Sequence, residues 1–132
     1  MNRNALLTIT SLLSILLLSL HVTDDIVRGM DTPGIQNLTA CVILTVLLYG
    51  TLVLRGKVAG YIITLLTGIF ALGMPVIHMR GTHFPDVVAS PGGFSFLWTL
   101  FALGVTGLFG IVLSIEGLWS MRRSQVPTSS SS

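Results

Sequence analysis

The chain has 132 residues, 52% of them apolar and only 9% charged, with a formal net charge of +2. Soluble domains carry about 25% charged residues, and a domain near this size leaves roughly a third of its surface exposed, so the composition excludes a water-soluble fold and makes lipid the natural solvent. The small positive charge, with no basic cluster beyond Arg122-Arg123, argues against a nucleic-acid partner, and the lone Cys41 excludes an intramolecular disulfide or paired-thiol redox site.

Four uncharged runs follow one another, each near the ~20 residues a spanning helix needs. The first, Asn4 to Thr23, predicts a span over about 5–22. Arg3 gives it the short positive start of a signal peptide, but LSLHVT before Asp24 carries no small-x-small cleavage pattern, so the segment is expected to stay as a helix. The second run, Thr32 to Leu54, predicts a span over about 36–54, and the third, Val58 to Met79, one over about 58–77 with Pro75 near its end. The fourth, Val87 to Ile115, is apolar from Phe94 onward and predicts a span over about 94–118. Helix is the expected form, because backbone groups in lipid must bond within their own segment. The expected architecture is an all-α membrane protein: one four-transmembrane-helix bundle over residues 1–123, with a low-complexity tail from 124 to 132 that reads as disordered.

Basic residues set the orientation. Arg3, Arg55, Lys57, Arg122 and Arg123 fall on one side of the expected membrane, and only Arg28 and Arg80 on the other. The positive-inside rule then puts both termini in the cytoplasm of a plasma (inner) membrane, with RGK at 55–57 as a tight inner turn.

The outer connections then run from His21 to about Ile35 and from His78 to about Gly93. They hold all three histidines and, in Asp24, Asp25, Asp31 and Asp86, four of the five acids. HVTDDIVRGMDTPG and HMRGTHFPDVVASPGG also resemble each other: each starts at a histidine, contains Arg-Gly and closes on Pro-Gly. The offset is 57 residues between His21 and His78, 58 between Pro33 and Pro91, and 52 between Arg28 and Arg80. This reads as duplication of a two-helix hairpin, giving a parallel repeat with His21 and His78 at similar depth. The alternative is that Arg-Gly and Pro-Gly simply suit loops.

Small residues mark the expected packing faces, because they let membrane helices approach closely. Gly56, Gly60, Thr64 and Gly68 recur at four-residue spacing in the third span, and Ala102, Thr106, Gly110 and Ser114 in the fourth. Trp98 and Trp119 fall where aromatic belts would lie.

The chemistry sits in the outer segments. If the first helix runs on past His21, Asp24 and Asp25 share its face, Asp24 can pair with Arg28, and Gly29 stops the helix. The His83-x-x-Asp86 spacing also fits one turn, but Pro85 argues against a regular helix there. His21, Asp25, His78, His83 and Asp86 are the candidate metal ligands. Imidazoles with a carboxylate suit zinc, and imidazole also suits copper and iron. A haem held axially by His21 and His78 is a further alternative. No charged residue lies in the middle of a span, which argues against a proton-coupled carrier.

Three functional classes follow. The first expectation is a small accessory protein or subunit, acting by association as a homo-oligomer or in a larger membrane complex, with the outer loops as its docking surface. The alternatives are a metal- or cofactor-binding protein with its site at the outer face, and an oligomeric channel or carrier lined by the third and fourth spans. No hydrolase triad, nucleophile elbow or phosphate loop marks an enzyme.

Overall fold

The computed structural model describes residues 2–29, 34–35, 37–81 and 84–124. Asp31, Pro33, His83 and the tail from 125 to 132 lie outside them. All regular structure among the described residues is helical: α1 (Arg3–Val27), α2 (Asn37–Leu52), α3 (Val58–Met79), α4 (Phe84–Ala89) and α5 (Gly93–Ser124).

Helix α1 starts where the Asn2 side chain accepts a hydrogen bond from the Ala5 amide at 3.2 Å, satisfying one of the free N–H groups of a first turn. It ends at Gly29, whose φ of 69° is open to glycine at no steric cost. The helix therefore runs five residues past the predicted end at 22, and His21, Asp24 and Asp25 stand on helix rather than in a loop. The physical reason is local: nothing breaks the helix before Gly29, and Asp24 and Arg28 pair across one turn at 2.7 Å.

Helices α1, α3 and α5 are long and apolar enough to cross a membrane. Helix α2 has 16 residues, about 24 Å at 1.5 Å per residue, against a hydrocarbon core of about 30 Å. It is shorter than the predicted second span. Helix α5 runs to Ser124, beyond the predicted end at 118. Helix α4 forms where Pro85 was expected to oppose it. Pro85 is its second residue, in the first turn, where a missing N–H leaves no intrahelical bond unmade.

Helix α3 packs closely on α5. A Cβ added at Gly68 would stand 2.7 Å from the Gly107 carbonyl oxygen, and one added at Gly107 would stand 2.7 Å from the Gly68 carbonyl oxygen. Backbone meets backbone here, the approach that small residues allow between membrane helices. Gly110 lies against Gly68 and Thr64 at ordinary contact distance. Gly60 faces the Leu54 and Gly50 carbonyls, so it seats the end of α2 rather than α5. Gly56 lies in the turn before α3, and half-buried Thr106 donates to the Leu103 carbonyl of its own helix.

Helices α1 and α3 run parallel in a fixed register. Tyr61 Oη donates to Asn4 Oδ1 near one end, and His21 meets His78 near the other, both pairs 57 residues apart. Between these ends lies an apolar core of Leu18, Leu47, Ala71 and Leu103. Several polar groups inside are bonded across or along helices: Ser11 and Thr51 hydroxyls meet at 2.6 Å, and Thr64 and Thr67 donate to the carbonyls four residues back, whereas the buried Ser114 hydroxyl has no partner among the described residues. Outward faces carry large apolar side chains, Leu16, Leu66 and Phe101 among them, each more than half exposed. Such a surface is stable only against lipid or protein.

Candidate metal centre

His21 reaches the interior because of its place on a stripe. Leu7, Ser11, Ser14, Leu18 and His21 recur every three or four residues on α1 and are all buried, which is the spacing of one helix face. His21 is 1% exposed. Asp25, one turn on, shares its side of the helix, and His78 comes from the last turn of α3.

The three side chains converge. His21 Nε2 lies 2.9 Å from His78 Nε2 and 3.4 Å from Asp25 Oδ2. One donor atom from each residue falls within a sphere of contacts no wider than 4.8 Å. Of the five ligands expected from sequence, the structure brings these three together. Asp86 sits exposed on α4 outside the group, and His83 is outside the described residues.

Phe96, the buried fourth residue of α5, packs against both imidazoles, at 5.8 Å from the His21 ring and 5.6 Å from the His78 ring. The two imidazoles meet edge to face at 4.6 Å. The Arg28 guanidinium also approaches Phe96, 5.8 Å from the ring centre. Arg28 Nε donates to Asp24 at 2.7 Å, and its Nη1 donates to the Ser90 hydroxyl at 2.7 Å. This arginine thus ties the end of α1 to the turn that opens α5, beside the Phe96 ring that both histidines also touch.

The donor set decides what the cluster can do. Two neutral imidazoles and a carboxylate are hard-to-borderline ligands suited to zinc and to ferrous iron. Tetrahedral zinc with bonds of about 2.0–2.1 Å needs ligand atoms roughly 3.3 Å apart. The observed 2.9 and 3.4 Å from His21 come close, and the third pair, His78 with Asp25, lies within 4.8 Å, so small side-chain adjustments would close the site on an ion. A haem does not fit here. Axial ligation puts the two nitrogens on opposite faces of a porphyrin, whereas these nitrogens touch and Phe96 packs on both rings.

With no metal, a proton holds the pair together. One Nε2 must donate and the other accept. His21 Nδ1 is buried with no hydrogen-bond partner among the described residues, so we assign the His21 proton to Nε2, which avoids leaving a buried N–H unbonded. A metal held at Nε2 would require the His21 proton on Nδ1 instead.

Sequence reasoning did not find Phe96, which looks like any other apolar residue of its span, nor the Arg28–Ser90 tie, whose residues are 62 apart. The Asp24–Arg28 pair was visible in its four-residue spacing. No protein-family model, curated protein or solved structure matches the chain in searches of each, so the functional reading rests on this geometry.

Proposed function

We propose that this chain is a multi-pass membrane protein that binds a divalent transition metal, zinc by best fit, at the outer end of its helices. The convergence of His21 Nε2, His78 Nε2 and Asp25 Oδ2 carries the reading. Three protein ligands leave a fourth position for water or substrate, the arrangement of zinc sites that do more than hold a fold together. Because His21 Nδ1 has no acceptor among the described residues, no hydrogen bond from that nitrogen fixes the liganding ring, as one normally does. The site then binds exchangeably rather than permanently, as a carrier or sensor site would.

In this reading all four long helices cross the membrane, α2 with local thinning of the bilayer, and both termini face the cytoplasm. Its support is the segregation of charge: Arg3 approaches Glu116, and Arg55 lines a cleft with Asn4, at the end opposite the histidines. The inner membrane of a cell is the expected location.

A second reading, a docking surface for a partner subunit or a second copy, draws on α4, which buries none of its residues and carries Asp86 and Val88 outward. The metal reading is preferred because Asp24, Arg28, His21 and His78 spend their polar groups on one another rather than on the outer surface.

Zinc titration of the detergent-purified protein against a competing chelator tests the proposal. The expected result is one zinc per chain, weakened in Asp25→Asn and abolished in His21→Ala. Equal binding by all three proteins would place the zinc elsewhere.

A further inference from the structure

At the opposite end, a second polar recess lies between the first turn of α1 and the last turns of α5. It is an open hollow of about 570 Å³ lined by Arg3, Glu116, Trp119, Ser120, Arg123 and Ser124. We propose that it binds the phosphate headgroup of an anionic phospholipid. This stands on the membrane reading alone and is independent of the metal site.

Charge comes first. Two arginines, Arg3 and Arg123, and one acid, Glu116, line the hollow. Arg3 uses one nitrogen, Nη1, on the Glu116 carbonyl at 3.3 Å. Its second terminal nitrogen, Nη2, makes no hydrogen bond among the described residues. A guanidinium has five N–H donors in a rigid fork that matches phosphate oxygens, so Arg3 is oriented with donors to spare. The first turn of α1 carries no acid, so only the neutral Asn2 cap meets the partial positive charge of the helix N-terminus. Ser120 adds a hydroxyl for a remaining oxygen, while the Ser124 hydroxyl already donates to the Ser120 carbonyl.

Position selects lipid over a soluble anion. Trp119 is 59% exposed, with the Arg123 guanidinium 5.1 Å from its ring. An exposed tryptophan beside arginine at a helix end is the signature of the headgroup layer. Helical spacing carries the same face of α5 from Glu116 to Val112 and Phe109, and that of α1 from Arg3 to Leu6 and Leu13. All four are exposed apolar residues, and they give acyl chains a track leading away from the recess.

The test uses the full chain in detergent, with dioleoylphosphatidylglycerol, dioleoylphosphatidylcholine and inorganic phosphate as separate probes. Lipid retained is counted by native mass spectrometry, and affinity is read from the thermal shift. Phosphatidylglycerol should bind and stabilise, and phosphatidylcholine and free phosphate should not. Each guanidinium near a lipid headgroup is worth about fivefold, so R3Q/R123Q should weaken phosphatidylglycerol by about twenty- to thirtyfold. R55Q/K57Q, which removes as much charge from the neighbouring turn, should leave it unchanged. E116Q removes the one opposing carboxylate and should tighten binding severalfold, a gain that decides the matter even if the double variant misfolds. Equal binding of both lipids, equal loss in R55Q/K57Q, no gain in E116Q, or the same shift from phosphate alone would each overturn the proposal.

Discussion

Replacing Gly107 by alanine should loosen the seam between α3 and α5. The added Cβ would stand 2.7 Å from the Gly68 carbonyl oxygen, 2.8 Å from the Leu72 amide nitrogen and 3.0 Å from Ala71 Cβ. The first two are helix backbone and cannot rotate aside. Ordinary contact begins at 3.4 Å, so the two helices must part locally by up to the difference from 2.7 Å. Gaps of this size forfeit a quarter to a half of each dispersion contact along the seam, and overpacking of this kind costs about 1–3 kcal/mol. Two other glycines calibrate the effect. A Cβ at Gly73 meets nothing within 4 Å, and one at Gly110 meets its nearest neighbour at 3.9 Å. Gly73→Ala should therefore be neutral or gain up to about 1 kcal/mol of helix propensity, with Gly110→Ala close behind it. Sodium dodecyl sulfate titration in mixed micelles, followed by far-ultraviolet circular dichroism, ranks the three. Equal stability of Gly107→Ala and Gly73→Ala would refute the close backbone approach on which the α3–α5 packing rests.

Arg28→Gln should lower stability by about 1–2 kcal/mol, because Arg28 is only 14% exposed and makes charge-assisted bonds to Asp24 and Ser90. Arg28→Lys should not restore it, since one ammonium cannot reproduce the fork, and the same micelle titration reads both. A double-mutant cycle on Ser11→Ala and Thr51→Val should return a coupling of about 0.6 kcal/mol, the usual worth of a hydroxyl bond between membrane helices. A value near zero would mean that the two hydroxyls do not meet. Zinc affinity should fall as pH is lowered, because protons compete for the same imidazole nitrogens that the metal needs. His78→Ala, which removes one of those imidazoles, should bind zinc at least about a hundredfold more weakly.

The sequence carried the helices well and their edges less well. Apolar runs bounded by charge are visible because lipid imposes them, and four such runs became the four long helices. The end of α1 was misplaced because His21, Asp24 and Asp25 look like loop residues, whereas a helix continues until something stops it, here Gly29. Among the described residues, helix α2 stops at Leu52, two residues before its apolar run ends at Leu54. The pairing of His21 with His78 was foreshadowed by the offset of 57 residues, which the Asn4–Tyr61 bond repeats at the other end. Whether that offset records a duplication or only two parallel helices in register, it gives the two histidines a common depth. Phe96 and the Ser90 end of the Arg28 tie were not legible. Their roles come from an antiparallel helix folding back across more than sixty residues, and no local pattern encodes that.

The central claim is the metal at His21, Asp25 and His78. It is tested most directly by metal content and the visible spectrum of the detergent-purified protein, beside His21→Ala/His78→Ala with matched helicity. The account predicts near-stoichiometric zinc in the first sample after zinc loading and gel filtration, its loss in the second, and no haem band in either. Equal zinc in both samples, or none in either, would contradict it and return the two histidines to the role of an interhelical hydrogen bond.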